Sequence, residues 1–366
     1  MRRHRHDLIV LALAGACALA PHFDVAWAQA VAPAPQHETA AALPRVRLIA
    51  TGGTISNRRG GRLRADELVA QVPDLQRYVR PESEQFANTS SASLTLAQWL
   101  DLSRRINALL DAEADLAGVV VTSGTDTLEE LAWFLHLTVR HDRPVVVTGA
   151  MRTPSQVAPD GAANLLAAFR VAGDAQARNR GVLVVLNDEI SSARHVTKSD
   201  ALRLHTFVSP TGGTLGTVDA DRVVFHRRVE GRHTAASEFD VGAIETLPRV
   251  DVLLVYQDAP GDLIRAAVDF GAQGLVIATA GAGATSNAQR EAMAYAAARG
   301  RPVVSTTRTG AGRIQPRSRR RAMPSPEPDW LIAGEDHTPV KARVLLMLAL
   351  AVGAGPADIQ RMFSEY

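Results

Sequence analysis

Three short stretches of the chain carry side chains that could act together on a carbonyl group. Thr51-Gly52-Gly53-Thr54-Ile55 follows one apolar run, and Thr122-Ser123-Gly124-Thr125-Asp126-Thr127 follows another. Val196-Thr197-Lys198 lies further on. Glycine lets a backbone approach a ligand closely. The threonines present hydroxyls, and Asp126 adds a carboxylate just before a helix. One such turn alone is an ordinary strand–turn–helix with a cap. Two in one sheet, with a lysine, form a set suited to acyl transfer without histidine or cysteine. A threonine hydroxyl is a poor nucleophile until a base removes its proton. A lysine in a dry site can give up its own proton and act as that base. Asp126 would orient the lysine or hold a substrate ammonium.

Lysine usage sharpens the point. Of 40 basic side chains in 366 residues, only Lys198 and Lys341 are lysine; the rest are arginine. Arginine supplies fixed positive charge, whereas lysine has a nitrogen that can lose its proton. The bland alternative is that both lysines are chance survivors on a surface. Other chemistries find no support. H-E-x-x-H, G-x-S-x-G and the P-loop pattern are absent, and Gly281-Ala282-Gly283 does not complete a dinucleotide fingerprint. A single cysteine, Cys17, excludes a disulfide framework, a cysteine zinc site and an iron–sulfur site within the chain. No metal is expected. A net charge of +2 argues against nucleic acid as partner. Thr211-Gly212-Gly213-Thr214 repeats the first motif letter for letter. It follows Ser209-Pro210 and not an apolar strand, so it is expected to be a turn.

The elements that must position these side chains alternate along the chain. Apolar, β-branched runs at Arg45–Ala50, Gly118–Val121, Pro144–Val147 and Gly181–Leu186 predict strands buried on both faces of a parallel sheet. A second set lies at Val250–Val255, Gly274–Ala278 and Arg301–Ser305. Helices are expected from Thr95 to about Asp111, where Thr95 and Gln98 form a capping box, and from Thr127 through Val139. Others are expected from Asp160 to Ala172, from Ser286 through Arg299, and from Thr338 and Pro356 near the end. The rhythm predicts an α/β fold: a larger N-terminal, doubly wound, mostly parallel sheet domain plus a smaller C-terminal α/β domain. In such sheets ligands bind beyond the carboxyl ends of the strands, where both threonine-rich turns fall. The N-terminal catalytic domain is placed at 45–225, a polar linker at 226–241 and the C-terminal domain at 242–366. Arg313 to Arg321 is expected to be a solvated basic loop.

The N-terminus has the pattern of an export signal. Arg2, Arg3 and Arg5 precede an apolar run from Leu8 to Ala20, and Ala26-Trp27-Ala28 matches a cleavage site. Residues 1–28 are therefore expected to be a signal peptide and 29–44 a disordered leader. The mature protein would be periplasmic, start near Gln29 or Val31, lack any thiol and have no membrane segment.

These motifs together resemble the bacterial-type L-asparaginases, particularly the exported class. The likeness runs from about Arg45 to Tyr366. It includes Gly149-Ala150-Met151-Arg152, Asp160-Gly161 with Asn164, Asn179 to Val185, and Lys341 to Leu346. It implies hydrolysis of L-asparagine to L-aspartate and ammonia without a cofactor, in a homotetramer built as a dimer of dimers with active sites between subunits. Carried over residue by residue, Thr54 is the nucleophile. Thr125, Asp126 and Lys198 are the second threonine with its aspartate and lysine partners, and Asp126 also binds the substrate α-ammonium. Ser91 holds the α-carboxylate, while Gly53 and Gly124 line the substrate. Lys341 is implied to pack or pair. Three positions depart from the family pattern. The loop Ser56–Arg64 is short and lacks the usual tyrosine, Ala92 stands where a glutamine is common, and Ala282 stands for an asparagine; the neighbouring subunit's glutamate has no match. A broad glutaminase–asparaginase is the nearest alternative. A periplasmic amino-acid-binding protein is the rival from another class, since it would need the ammonium and carboxylate partners but no activated hydroxyl.

Overall fold

Strands form where β-branched and leucine side chains run without interruption, because both faces of those segments are covered. The structure, a computed structural model, describes residues 42–316 and 330–366. The expected signal peptide and residues 29–41 of the expected leader lie outside the described residues, as does the greater part of the basic loop.

Strand β1 (Arg45–Gly52) runs into a tight 3-10 turn, Thr54–Ser56. A two-residue hairpin follows, β2 (Asn57–Arg58) and β3 (Gly61–Arg62), and then helix α1 (Ala65–Ala70). Next come β4 (Arg80–Thr89), α2 (Leu96–Ala112), β5 (Leu116–Thr122), α3 (Leu128–Thr138), β6 (Val145–Thr148), α4 (Gly161–Gly173) and β7 (Val182–Leu186). Five short strands follow: β8 (Glu189–Ser192), β9 (Thr197–Lys198), β10 (Phe207–Val208), β11 (Gly216–Val218) and β12 (Val223–Phe225). The C-terminal part holds β13 (Val250–Leu254), α5 (Asp262–Asp269), β14 (Gly274–Thr279), α6 (Asn287–Ala298), β15 (Val303–Thr307), β16 (Leu331–Ala333), α7 (Pro339–Ala351) and α8 (Pro356–Glu365).

The larger sheet has the order β12-β11-β8-β7-β6-β5-β1-β4. It is parallel from β7 to β4, while β8, β11 and β12 are antiparallel additions. The smaller sheet, β13-β14-β15-β16, is wholly parallel. The fold is thus α/β, with a large N-terminal mostly parallel sheet and a smaller C-terminal parallel one. Side chains alternate across the larger sheet as strand geometry requires. Ile49, Val119, Val121, Val147 and Val184 face α2, α3 and α7, and Leu48, Val120, Val146, Leu183 and Val185 face the side covered by α4. The first of these cores continues through Val276, Val304 and Ile332 of the smaller sheet and the buried side of α7.

Two of the expected helix starts carry side-chain caps. Thr95 Oγ1 accepts from Gln98 N at 3.2 Å while Gln98 Oε1 accepts from Thr95 N at 3.0 Å. Ser286 Oγ accepts from Gln289 N at 3.0 Å. Thr127 precedes α3 without a side-chain cap bond. There Glu130 instead turns toward Arg343 of α7, 3.6 Å away, and burial raises its carboxyl above the usual range. Between Phe225 and Val250 only a 3-10 turn, Thr234–Ala236, is regular, yet Phe239, Val241 and Ile244 are buried there. Thr211-Gly212-Gly213-Thr214 is a turn, packed with Gly212 against His195. Among the described residues, no helix is long and apolar enough to cross a membrane.

Candidate active site

The register of the central strands aligns the two threonine-rich turns. Leu48, Ile49 and Ala50 of β1 pair with Val120, Val121 and Thr122 of β5, so the strands finish side by side. Thr51 Oγ1 donates to the Thr122 carbonyl at 2.7 Å and ties the two ends together. Beyond that bond both chains turn at glycine, and the glycines touch. A Cβ on Gly53 would fall 2.4 Å from both Cα and N of Gly124. Gly53 also has φ +89, a region open to glycine but costly for other residues. Only a bare backbone here lets Thr54 stand next to the Thr125 turn.

Strand β4 supplies the third side. Gly53 N donates to the Thr89 carbonyl at 2.8 Å, and two residues later the chain reaches Ser91, which is buried. A Cβ on Gly124 would lie 2.9 Å from Ser91 Oγ. Gly124 is therefore packed between Gly53 on one side and Ser91 on the other. The loop after β6 backs Thr125. A Cβ on Gly149 would meet Ser123 O at 2.5 Å and Thr125 Cγ2 at 3.3 Å. That loop is fixed by Asp160, which accepts from Met151 N at 2.9 Å and Arg152 N at 2.8 Å, and by Asn164 Nδ2, which donates to Gly149 O at 3.0 Å.

Lys198 comes to the same place from β9, more than seventy residues further along the chain. Its Nζ donates to Thr125 Oγ1 at 3.0 Å and to Asp126 Oδ1 at 2.7 Å. The lysine side chain is only 13% exposed, while that of Asp126 is 78% exposed. Thr54 is half-buried. The arrangement thus joins a hydroxyl to an amine across a strand end, with an open carboxylate at its rim. It can relay a proton from a hydroxyl to a nitrogen, and it can receive a cation at Asp126.

The hairpin after Thr54 is short. Leu63 N donates to Ser56 O at 2.7 Å, Arg59 N donates to Ser155 Oγ at 3.1 Å, and Arg58 pairs with Glu67 at 3.0 Å. Its residues include no tyrosine. Ala92, beside the buried Ser91, is exposed. Among the described residues, no group of three or more histidine, cysteine, aspartate or glutamate side chains could hold a metal ion.

Glu129, which the sequence suggested only as part of a helix start, also belongs to this neighbourhood. It is buried, and its Oε1 accepts from Thr197 Oγ1 at 3.1 Å and from Lys198 N at 3.2 Å. Its other oxygen, Oε2, has no hydrogen-bond partner. A glutamate two positions inside a helix, on a face that is otherwise apolar, was the available signal.

Comparison with known proteins matches two family models end to end. "Asparaginase, N-terminal" covers residues 45–230, and "Glutaminase/Asparaginase C-terminal domain" covers 249–363. The chain is 40% identical over 334 residues to L-asparaginase 2 of Bacillus subtilis (strain 168), covering 88% of this chain and 87% of that one. It is 35% identical over 362 residues to the glutaminase-asparaginase of Pseudomonas fluorescens biotype A, covering 96% and 97%. It is also 35% identical over 336 residues to a probable periplasmic L-asparaginase of Haemophilus influenzae, covering 89% and 94%. Among solved structures, the probable cytoplasmic L-asparaginase from Campylobacter jejuni superposes with a TM-score of 0.80 at 36% identity, over 89% of this chain and all of that one.

Proposed function

Because this chain belongs to the asparaginase family, we propose that it hydrolyses the side-chain amide of L-asparagine to L-aspartate and ammonia, with Thr54 as nucleophile. The observation that carries this reading is Lys198 Nζ held between Thr125 Oγ1 and Asp126 Oδ1 at 3.0 and 2.7 Å. In the first half of the reaction the Thr54 oxygen bonds to the amide carbon and the C–N bond breaks, releasing ammonia. In the second half water attacks the ester and restores the threonine hydroxyl. Both halves need a group that takes a proton from an oxygen and returns one, and the Thr125–Lys198 pair is built to do so.

The open carboxylate of Asp126 is the receptor for the substrate α-ammonium. Ser91, beside Gly124, would take the α-carboxylate, and the backbones of Gly53 and Gly124 would line the substrate between them. No cofactor is required.

Further features support two more proposals. The exposure of Asp126 leaves the site open at its rim, which fits closure by a second subunit in a homotetramer. The export pattern in residues 1–28 favours a periplasmic location, as named for the Haemophilus influenzae relative and unlike the location named for the Campylobacter jejuni structure.

The test is ammonia release by the purified mature protein with asparagine and glutamine side by side. Release that is lost in a folded Thr54→Ala variant supports the reading. No release from either amide, with amino-acid binding retained, would favour a solute-binding protein instead.

A further inference from the structure

Strand β9 is two residues long and pairs only with the two residues of β10. A ladder of that size is too small to fix a side chain, yet Lys198 Nζ is held at hydrogen-bond distance from both Thr125 and Asp126. The segment before it contains a run of backbone carbonyls, and these point at the chain's other lysine. Lys341, on α7, is 1% exposed. Its Nζ donates to Ala193 O at 2.8 Å, to Arg194 O at 3.1 Å and to Val196 O. At the next two residues Glu129 of α3, the helix packed against α7, accepts from Thr197 Oγ1 and from Lys198 N.

We propose that Lys341 and Glu129 are positioning residues that together hold Ala193–Lys198 against the packed pair α3 and α7 and thereby set where the Lys198 ammonium stands. The inference rests on the functional reading above for its catalytic consequence. The clamp itself is a property of the fold.

The chemistry of the clamp explains why its two members occur together. An ammonium has three donors and a neutral amine has two, so holding three carbonyls at once requires the charged form. Burial opposes that charge and draws the Lys341 ammonium down to about 7; Glu129 and Asp336 oppose this, while Arg194 adds to it. His136 of α3, His337 and Arg194 also face this region, and burial holds both histidines well below their usual range, hence neutral. Glu129 therefore has two tasks. One oxygen grips β9, and its charge favours the ammonium that grips the preceding residues.

The chain's composition makes the test direct. With only two lysines, one of them buried, mass spectrometry after brief treatment with an amine-reactive reagent reports Lys198 separately from the N-terminus. Three single variants of the full mature protein are compared. Thr197→Val removes one bond to Glu129 with little change of shape, Glu129→Ala removes both, and Glu129→Gln retains an oxygen that can accept them. Thr197→Val is partly exposed and should fold normally, which keeps the test valid if Glu129→Ala does not.

The expected result is a several-fold rise in Lys198 labelling in Thr197→Val and a larger one in Glu129→Ala, as the amine leaves Asp126. Alongside it kcat should fall by about 10-fold or more in Glu129→Ala with KM changed far less, because a displacement near 1 Å can cost on the order of 100-fold. Glu129→Gln should recover the part of the loss that comes from the missing acceptor, but not the part that comes from the missing charge on Lys341. Labelling and kcat within about threefold of wild type in folded Thr197→Val and Glu129→Ala would overturn the proposal, since misplacement of this kind should exceed that margin. So would a Glu129→Gln variant as impaired as the alanine variant. If wild type releases no ammonia from either amide, the functional reading fails, and the labelling arm still decides whether the clamp exists.

Discussion

Replacing Lys198 by arginine separates a proton carrier from a fixed charge. The guanidinium would keep a positive group beside Asp126, so an electrostatic anchor would survive. It stays protonated under any working condition and cannot accept a proton from Thr125. General-base assistance is worth about 10²–10⁴-fold, or roughly 2.7–5.5 kcal/mol of barrier at 1.36 kcal/mol per decade. The surroundings add to this loss. The lysine side chain is nearly enclosed and makes contacts of 3.0 and 2.7 Å to Thr125 and Asp126, so a planar, wider head group must displace one of them. The assay is steady-state ammonia release over a range of asparagine concentrations, with melting temperature as the folding control. A fall in kcat of at least about 100-fold is expected. A well-folded Lys198→Arg protein within about threefold of wild type would refute the proton-transfer role, given that margin.

Gly53→Ala should abolish activity and destabilise the protein, since its Cβ would lie 2.4 Å from Gly124 backbone atoms. Gly60→Ala, at φ +82 but with open space around it, should cost only the left-handed strain of roughly 1–2 kcal/mol; equal melting temperatures for the two would contradict the close-contact argument. Stability should also carry a signature of Lys341, whose folded value of about 7 lies below its ordinary 10.5. Between these values the unfolded chain binds the extra proton, so this group's contribution to stability rises as pH increases from 7 toward 10.5. The melting temperature of wild type relative to Lys341→Met should climb across that range, and a flat difference would count against the shift. Asparagine should be preferred over glutamine by kcat/KM, because one methylene is worth roughly 1–3 kcal/mol in a fitted site; equal values would show that the space beside Ala92 accepts the longer side chain. Finally, Arg58→Ala with Arg59→Ala should reduce kcat far less than Thr54→Ala. A comparable loss would mean that the hairpin takes part in proton transfer.

Much of this architecture was legible because it depends on local pattern. The central strands of both sheets are continuous apolar runs, and their positions follow from that alone. Strand β4 was not visible in this way. Arg80–Thr89 is an edge strand paired only with β1 and carries arginine, glutamate, glutamine and asparagine, so it shows neither a buried run nor a clear alternation. The short antiparallel strands β8 to β12 were missed because each is only two to four residues long, too short to show a period, although β8 pairs with its neighbour β7 and β11 with β12. In the site, hydroxyls, carboxylate and lysine at strand ends announce themselves by type and place. The role of Glu129 does not. Its partners are 68 and 69 residues away, and in the sequence it is one of two glutamates opening a helix. Thr127 shows the converse limit, a cap pattern overridden because Glu130 is drawn toward Arg343 on another helix.

The lysine on α7 also constrains how the molecule can come together and come apart. It reaches from the C-terminal part of the chain into a loop of the N-terminal sheet, and the apolar core there runs through both sheets without a break. Neither sheet can melt alone without exposing that core and leaving buried carbonyls without donors. Heating should therefore produce one cooperative calorimetric transition and not two. During synthesis the order is fixed as well: Thr125, Asp126 and Glu129, which hydrogen-bond Lys198, are all made long before α7 emerges. A nascent chain would carry the whole candidate site and still lack the helix proposed to hold Lys198 in register, so competence should appear abruptly and late.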